Sequence, residues 1–291
     1  MRSGFVPVVG RPNVGKSTLV NTLVGTKVSI TSSRPQTTRN TIRGVVTRDD
    51  EWQMVLIDTP GLHKPRTELG SRLNSLVYGT LGEADAVVFV LDSTQEVGPG
   101  DRLIASRLAE GGAPVVIAVN KVDMATRAQA LERLSESAEW DFDAYVPLSA
   151  RDGTGIHALV DEVAARLPEG PLYYPSEVST DQPEEMILAE IIREKFLERL
   201  REELPHSLMV RLEDVEERPD GSVAITADVV VERKSQKGIV IGKGGSLLGV
   251  AGTEARHELG ALLGTTVHLS LHVTVEKDWQ RQPQLLDRLG F

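Results

Sequence analysis

The feature that most constrains this chain is a glycine loop that lies between an apolar run and a helix-like stretch. Residues 5–9 are apolar, too few for a helix and bounded by glycine, which indicates a buried strand. The next segment, Gly10–Ser17, fits the pattern G-x-x-x-x-G-K-[ST], and residues 17–24 continue as a helix. This order predicts a loop whose backbone N–H groups hold the phosphates of a nucleoside triphosphate. There we expect Lys16 to reach the β- and γ-phosphates and Ser17 to ligate Mg²⁺.

Composition limits the class of protein. A chain of 291 residues is long enough for two domains, and 40% hydrophobic with 25% charged residues is typical of a soluble globular protein. No apolar run is long enough for a membrane span, and the first strand leaves no room for a signal peptide. The chain has no cysteine, so thiolate metal sites are excluded. These features predict a cytoplasmic protein, and the net charge of −10 argues against general electrostatic binding of nucleic acid.

Alternating apolar runs and helical stretches fill the rest of the first half. This alternation predicts an α/β fold with a mostly parallel, doubly wound sheet, whose ligands bind beyond the carboxyl ends of the strands. The polar, hydroxyl-rich segment 30–40 is predicted to be a long functional loop. We predict strands at 41–48, 52–57, 86–91, 114–119 and 144–147, and helices at 101–110, 127–137 and 156–167.

The motif Asn120-Lys-Val-Asp123 follows one of these strands and predicts which base is bound. The Asp123 carboxylate can accept hydrogen bonds from N1–H and the exocyclic amine of guanine, whereas adenine would leave it unpaired. The Asn120 amide can bond the other edge of the base, and the Lys121 stem can lie over the ring. Ser149-Ala150, after the next strand, would direct a backbone N–H at the guanine oxygen. The predicted cofactor is therefore GTP or GDP.

A proline-rich segment separates the two halves. We predict a first domain at 1–170, a linker at 171–182 and a second domain at 183–291. The second half reads as a helix from Pro183, strands at 208–212 and 223–231, a short helix, the motif Gly242-Lys-Gly-Gly245, a helix at 246–263 and a strand at 267–275. That order is the order of a smaller α+β domain, the type II KH domain, whose G-x-x-G loop clamps the backbone of about four nucleotides.

Charge supports an RNA site at this loop. The second domain holds 14 lysines and arginines against 19 acidic residues, yet the charged residues of 232–243 are all basic except Glu232. Glycines allow phosphates to approach the backbone, and the absence of a nearby aromatic residue favours an apolar groove for the bases. The candidate RNA-binding residues are Arg233, Lys234, Lys237, Ile241, Gly242, Lys243, Gly244 and Gly245.

The motifs of the first half resemble, in order and spacing, the five motifs of the translation-factor-like GTPases. They are Gly10–Ser17, Thr37-Thr38, Asp58–Gly61, Asn120–Asp123 and Ser149-Ala150. The resemblance implies a nucleotide switch: Thr38 closes on Mg²⁺, Asp58 holds the metal through water, and the Gly61 N–H touches the γ-phosphate. Hydrolysis would release loops 30–40 and 61–70. The nucleotide site would then comprise Gly10, Asn13, Val14, Gly15, Lys16, Ser17, Thr18, Asp58, Gly61, Asn120, Lys121, Asp123, Ser149 and Ala150, with Lys16, Thr38, Gly61 and Asn13 acting in hydrolysis.

One position departs from the Ras-like pattern. Leu62 stands where a glutamine would position the attacking water, so we predict slow intrinsic hydrolysis. Asn13 resembles the asparagine of GTPases that bind K⁺ beside the phosphates, where the cation offsets transition-state charge. The alternative is that Asn13 only shapes the loop.

The order of the two domains, with Val240–Gly245 and Glu190–Lys195, resembles the Era family of bacterial GTPases over nearly the whole chain. The resemblance implies a monomeric, cytoplasmic assembly factor of the 30S ribosomal subunit that binds the 3′ end of 16S ribosomal RNA. Peripheral membrane association is also attributed to the family. Two alternatives stay open: a signalling GTPase whose C-terminal domain binds protein, and a P-loop ATPase or kinase, against which Asp123 argues.

Overall fold

The computed structural model describes residues 1–32, 34, 37–62, 67–202 and 204–288, which form two compact units. The first unit comprises the described residues of 1–29, 38–66 and 70–181. The second comprises those of 182–288, 30–37 and 67–69. The predicted loops at 30–40 and 61–70 are therefore described only in part, since residues 33, 35, 36 and 63–66 lie outside the described residues. The same holds for 289–291, the end of the predicted second domain.

A six-stranded sheet forms the centre of the first unit. Its order is β2-β3-β1-β4-β5-β6, and all neighbours are parallel except β2 and β3, which form an antiparallel hairpin. The α/β prediction is thus confirmed. The strands are β1 Arg2–Val9, β2 Ile42–Arg48, β3 Trp52–Asp58, β4 Val87–Asp92, β5 Val115–Asn120 and β6 Ala144–Pro147, and the helices are α1 Lys16–Val24, α2 Glu68–Gly82, α3 Pro99–Ala109, α4 Arg127–Ala138 and α5 Ile156–Arg166.

Helices cover both faces of this sheet, as a doubly wound fold requires. On one face, Leu19 of α1 and Leu159 of α5 pack against the sheet in one buried apolar cluster. On the other face, Val77 of α2 and Ile104 of α3 belong to a second cluster, with Leu134 of α4 at its edge. Successive side chains of a strand alternate between these two clusters, which explains why every residue of β4 and β5 is buried.

Helix α2 was not predicted from the sequence. It contains three glycines together with serine, asparagine and threonine, all of which have low helix propensity. Its apolar residues nevertheless recur at helical spacing, and Leu69, Leu73 and Val77 are buried. Burial of one helical face therefore outweighs the weak local propensity of this segment.

The second unit contains a three-stranded sheet of order β7-β8-β9. The first two strands are antiparallel and the last two are parallel. Leu259 from the longest helix packs with Phe196 and Ile225 in a single buried core. The predicted α+β type II KH order is confirmed by the elements α6 Glu184–Leu197, α7 Leu204–Ser207, β7 Met209–Glu217, β8 Val223–Val231, α8 Lys234–Ile241, α9 Ser246–Leu263, β9 Val267–Val275 and α10 Pro283–Arg288.

Helix α6 also holds the described part of loop 30–37 within the second unit. The Thr31 N–H donates to Glu194 Oε1 at 2.8 Å, and the Arg193 guanidinium donates to the Thr37 carbonyl. Arg193 itself is buried and bonds Glu190 one turn earlier on α6. The loop residues before Thr38 are therefore attached to the first helix of the second unit.

Within the described residues, no helix combines the length and the apolar character that crossing a bilayer would need.

Candidate functional site

The glycine loop follows β1 and leads into α1, as its sequence predicts. Gly15 precedes the helix with φ of +101°, a conformation that side chains with a Cβ rarely adopt. A Cβ there would lie 2.3 Å from the Asn120 side-chain nitrogen. Only glycine fits at this position, so the loop backbone comes close to the strand that carries the base motif.

Lys16 is buried at the start of α1. Its Nζ donates to the carbonyl oxygens of Gly10 at 3.1 Å and Arg11 at 3.0 Å. Burial lowers the pKa of Lys16 to about 8, an effect that the nearby Asp58 carboxylate partly opposes. The ammonium group therefore lies inside the curl of the loop, where bound phosphate oxygens would replace its carbonyl partners.

Three oxygen-bearing side chains meet beside Lys16. The Ser17 and Thr38 hydroxyls lie 3.0 Å apart, and Thr38 donates to Asp58 Oδ2 at 3.2 Å. Asp58 is fully buried, and its Oδ1 has no hydrogen-bond partner among the described residues. Burial raises the pKa of Asp58, while hydrogen bonds and the Lys16 charge act in the opposite direction. A buried carboxylate oxygen without a partner, next to two hydroxyls, fits the all-oxygen ligand set that Mg²⁺ prefers.

The base motif is joined to the glycine loop by Asn120. Its Nδ2 donates to the Val14 carbonyl at 2.8 Å, and its Oδ1 accepts from the Ala150 N–H at 2.9 Å. Asn120 is buried, and these bonds connect three of the predicted motifs. Both ends of the amide thus bond the protein's own backbone, a role that the sequence did not reveal. Asp123, in contrast, is exposed at the mouth of the site.

Lys121 and Arg11 are each fixed by an aspartate that sequence reasoning missed. Lys121 Nζ contacts Asp92 Oδ2 and the Asn13 carbonyl, both at 2.6 Å. Arg11 Nε bonds Asp101 Oδ1 at 2.8 Å, and Asp101 also accepts from the backbone at the start of α3. Both aspartates are buried. A polar residue that ends a buried strand, as Asp92 does, was the available signal.

The structure therefore brings the predicted nucleotide residues of the first unit to one edge of the sheet. Gly61 lies directly against Pro12 of the glycine loop, and Leu62 packs at the margin of an apolar cluster. Leu62 offers no polar atom that could orient a water. The residues placed at this edge or in the adjoining loops are Gly10, Asn13, Val14, Gly15, Lys16, Ser17, Thr18, Thr38, Asp58, Gly61, Asn120, Lys121, Asp123, Ser149 and Ala150.

The second glycine loop joins α8 to α9. Gly242, Gly244 and Gly245 all have positive φ, at +77°, +61° and +80°. A Cβ at Gly244 or Gly245 would meet nothing within 4 Å, so the loop stands open on the side where side chains would project. Gly245 also precedes the 18 residues of α9, whose N-terminus carries partial positive charge.

Basic side chains surround this open loop. Arg233, Lys234, Lys237 and Lys243 are all exposed, and no ion pair within the described part of the chain holds any of them. Ile241, just before the loop, is half-buried. The arrangement offers backbone N–H groups and mobile positive charges to a phosphate backbone, next to apolar surface.

These two sites define the class of protein: a P-loop GTPase unit followed by a KH unit. Residues 5–121 match the family described as "50S ribosome-binding GTPase", and residues 203–280 match the family described as "KH domain". Over its full length the chain is 47% identical to GTPase Era of Heliobacterium modesticaldum, covering 97% of that protein. It is 50% identical to GTPase Era of Mycobacterium avium, with 100% of this chain and 99% of that one covered.

Solved structures agree. Aquifex aeolicus Era, a variant bound to GDP and AlF4⁻, has a TM-score of 0.95 at 36% identity and covers 100% of this chain, with 99% of that chain covered. Era in complex with MgGDPNP and nucleotides 1506–1542 of 16S ribosomal RNA gives the same TM-score, identity and coverage. The chain belongs to the Era family of GTPases.

Proposed function

We propose that this protein is a GTP-hydrolysing switch that binds the 3′ end of 16S ribosomal RNA through its KH unit and assists assembly of the 30S subunit. One observation carries the proposal: a single chain combines a closely packed phosphate loop beside the 120–123 base motif with an open, basic G-x-x-G loop. A relative with the same fold over the whole chain was crystallised with a GTP analogue and that RNA segment.

In the nucleotide site, Lys16 would hold the β- and γ-phosphates and Asp123 would select guanine. Ser17 and Thr38 would ligate Mg²⁺ directly, and Asp58 would hold it through water. When bound, the ion neutralises charge on the phosphates. The Gly61 N–H would contact the γ-phosphate, as the family motif implies.

The roles of Asn120 and Ala150 follow from their contacts. Because Asn120 bonds Val14 and Ala150, it would fix the phosphate loop and the base loop at one distance. We therefore propose that the main role of Asn120 is to hold the two loops together, and that contact with the base is its secondary role.

The nucleotide would influence the second unit through loop 30–38. Thr38 would move to ligate the metal, and its neighbour Thr37 is bonded by Arg193 of α6. Closing or opening of Thr38 would therefore change the strain on that bond, which provides a physical route from the γ-phosphate to the KH unit.

Hydrolysis would be slow because Leu62 cannot position water. Asn13 is exposed with φ of +65°, and Lys121 fixes its carbonyl, so the side chain is presented beside the phosphates by a rigid backbone. We propose K⁺ as a second cation at Asn13. Turnover in KCl should exceed turnover in NaCl at equal ionic strength; equal rates would leave Asn13 with only a structural role.

RNA binding is tested by fluorescence anisotropy with an RNA oligonucleotide from the 3′ end of 16S ribosomal RNA. The variant Lys243→Asp, Gly244→Asp should lose at least about tenfold in affinity, because it places negative charge against phosphates. Its matched control is Gly221→Asp, Arg218→Asp in the β7–β8 turn. That control makes the same change in net charge, also at an exposed glycine of positive φ with open space around it.

The control turn lies at the far end of the unit. The Thr265 hydroxyl bonds the Gly221 carbonyl, and Thr265 follows the C-terminus of α9, whereas Gly245 precedes its N-terminus. An 18-residue helix spans about 27 Å between them. Equal losses in both variants, or no RNA binding by the unaltered protein, would favour a KH unit that binds protein instead.

A cytoplasmic location, a monomeric state and peripheral membrane association stay predictions of the family resemblance.

A further inference from the structure

Ser29 is a buried serine that no motif includes. It lies between α1 and the loop that begins at residue 30, and only 2% of it is exposed. Its hydroxyl donates to Asp58 Oδ2 at 2.7 Å, which is shorter than the 3.2 Å bond from Thr38 to the same oxygen. Ser29 therefore occupies one carboxylate oxygen of Asp58 and leaves Oδ1 as the oxygen without a partner.

Asn21 fixes the position of Ser29. Asn21 Oδ1 accepts from the backbone N–H groups of Val28 at 3.0 Å and Ser29 at 2.9 Å, and its Nδ2 donates to the Ser29 carbonyl at 2.7 Å. Three hydrogen bonds from one side chain clamp this segment to α1. The same helix begins with Lys16 and Ser17, so Asn21 fixes the position of Ser29 relative to the end of the phosphate loop.

Ser29 differs in kind from the other hydroxyls at Asp58. Ser17 and Thr38 are the proposed ligands of the metal, so their geometry would be set by the ion when it binds. The position of Ser29 is set by hydrogen bonds from Asn21, which involve no ligand. Side chains that orient a metal-holding carboxylate commonly change metal affinity by about 10- to 100-fold when removed.

We propose that Ser29, held by Asn21, is a positioning residue for a divalent cation: it fixes Asp58 Oδ2 so that Oδ1 is available to the metal. This inference rests on the proposed Mg²⁺ site at Ser17, Thr38 and Asp58. It assigns a function to two residues outside the five motifs.

The test measures how free Mg²⁺ slows the release of a fluorescent GDP analogue from the full chain. In the unaltered protein, release should slow as Mg²⁺ rises from zero, in EDTA, to millimolar concentrations. Ser29→Ala should raise the Mg²⁺ concentration of half-effect by about 10- to 100-fold, while the release rate in EDTA stays within about twofold of the unaltered value, because the phosphate loop itself is unchanged.

Ser93→Ala is the matched control. Ser93 is also fully buried in the first unit, but its hydroxyl has no hydrogen-bond partner among the described residues. Its removal should leave the Mg²⁺ response unchanged. Asn21→Ala should shift the response in the same direction as Ser29→Ala, and the double variant should add little to the larger single effect.

The possible outcomes distinguish a failure of the proposed metal site from a failure of the positioning role of Ser29. If release from the unaltered protein ignores Mg²⁺, the proposed metal site is wrong. If the unaltered protein responds and Ser29→Ala responds at the same Mg²⁺ concentration, the positioning role is wrong. A faster release from Ser29→Ala in EDTA by the same factor as in Mg²⁺ would also overturn it, since that result describes a general loosening. Should Ser29→Ala fail to fold, Asn21→Ala gives the same decision.

Discussion

The two glycine loops of this protein use the same backbone chemistry in opposite surroundings. Each precedes a helix, and each contains glycines of positive φ that turn N–H groups toward a prospective phosphate. The loop at Gly10–Ser17 is packed against Asn120 and Gly61, and its lysine is buried. The loop at Gly242–Gly245 has open space around Gly244 and Gly245, and its lysine is exposed.

This difference separates a site for one molecule from a site for a polymer. A closed loop with fixed neighbours can recognise a ligand of one size, and the added contacts give selectivity. An open loop could accept a continuous backbone that enters and leaves, and its exposed lysines would add affinity without demanding one geometry. Burial of the surroundings, more than the glycine pattern, therefore distinguishes the two functions.

The largest expected effect comes from adding one methyl group at Gly15 of the first loop, and the same change at Gly245 of the second loop is its comparison. Gly15→Ala places a Cβ 2.3 Å from the Asn120 nitrogen and imposes an unfavourable backbone conformation. Together these cost about 3 to 5 kcal/mol, so affinity for fluorescent GDP should fall by more than about 100-fold. Gly245→Ala meets no neighbour and should weaken RNA binding only about tenfold or less, from backbone strain alone. Similar losses at both positions would contradict the comparison.

Base selection should depend on one exposed carboxylate. Asp123→Asn removes an acceptor for two guanine donors, which we expect to lower GTP affinity by about 100-fold. The asparagine should in turn favour xanthosine triphosphate, whose base presents an oxygen in place of the amine. Competition titrations measure the affinities of the variant for GTP and for xanthosine triphosphate. Unchanged GTP affinity would show that Asp123 does not recognise the base.

The buried lysine predicts a smaller, pH-dependent effect. In the nucleotide-free protein the pKa of Lys16 is about 8, so the group is mostly charged at pH 7 and mostly neutral at pH 8.5. Bound phosphates require the charged form. GDP affinity in EDTA should therefore fall about fourfold between these pH values, with uptake of about three quarters of a proton at pH 8.5. The terminal phosphate, with a pKa of about 6, contributes little there.

Calorimetry in two buffers of different ionisation enthalpy measures that uptake. Equal apparent enthalpies in both buffers at pH 8.5, together with a constant affinity, would place the pKa of Lys16 well above 8.

The smallest effect concerns the exposed lysines. Each lysine that neutralises an RNA phosphate contributes about −0.7 to the slope of log affinity against log salt. Lys243→Gln should reduce the slope by about that amount, whereas Lys277→Gln, a lysine outside the 232–243 segment, should leave it unchanged. An unaltered slope for Lys243→Gln would remove this residue from the phosphate contacts.

Local patterns in the sequence predicted most of the fold and the outline of both sites. Strands β6, β8 and β9 and helix α9 were predicted to the residue, because their apolar periodicity and flanking turns agree. Helix α2 was missed because its glycines and polar residues have low helix propensity. Burial of its apolar face outweighs that propensity, and this burial is seen only in the folded structure. Asn120, Asp92 and Ser29 act through partners distant in sequence. Such contacts depend on tertiary structure and leave no local pattern.

The most direct test of the two-loop account is capture of cellular RNA. The purified protein is loaded with a non-hydrolysable GTP analogue or with GDP and crosslinked to total RNA, and the bound segments are sequenced. We predict a footprint at the 3′ end of 16S ribosomal RNA that requires the GTP analogue. The footprint should be lost in Lys243→Asp, Gly244→Asp and kept in Gly221→Asp, Arg218→Asp. The same scattered RNA in both nucleotide states would contradict it.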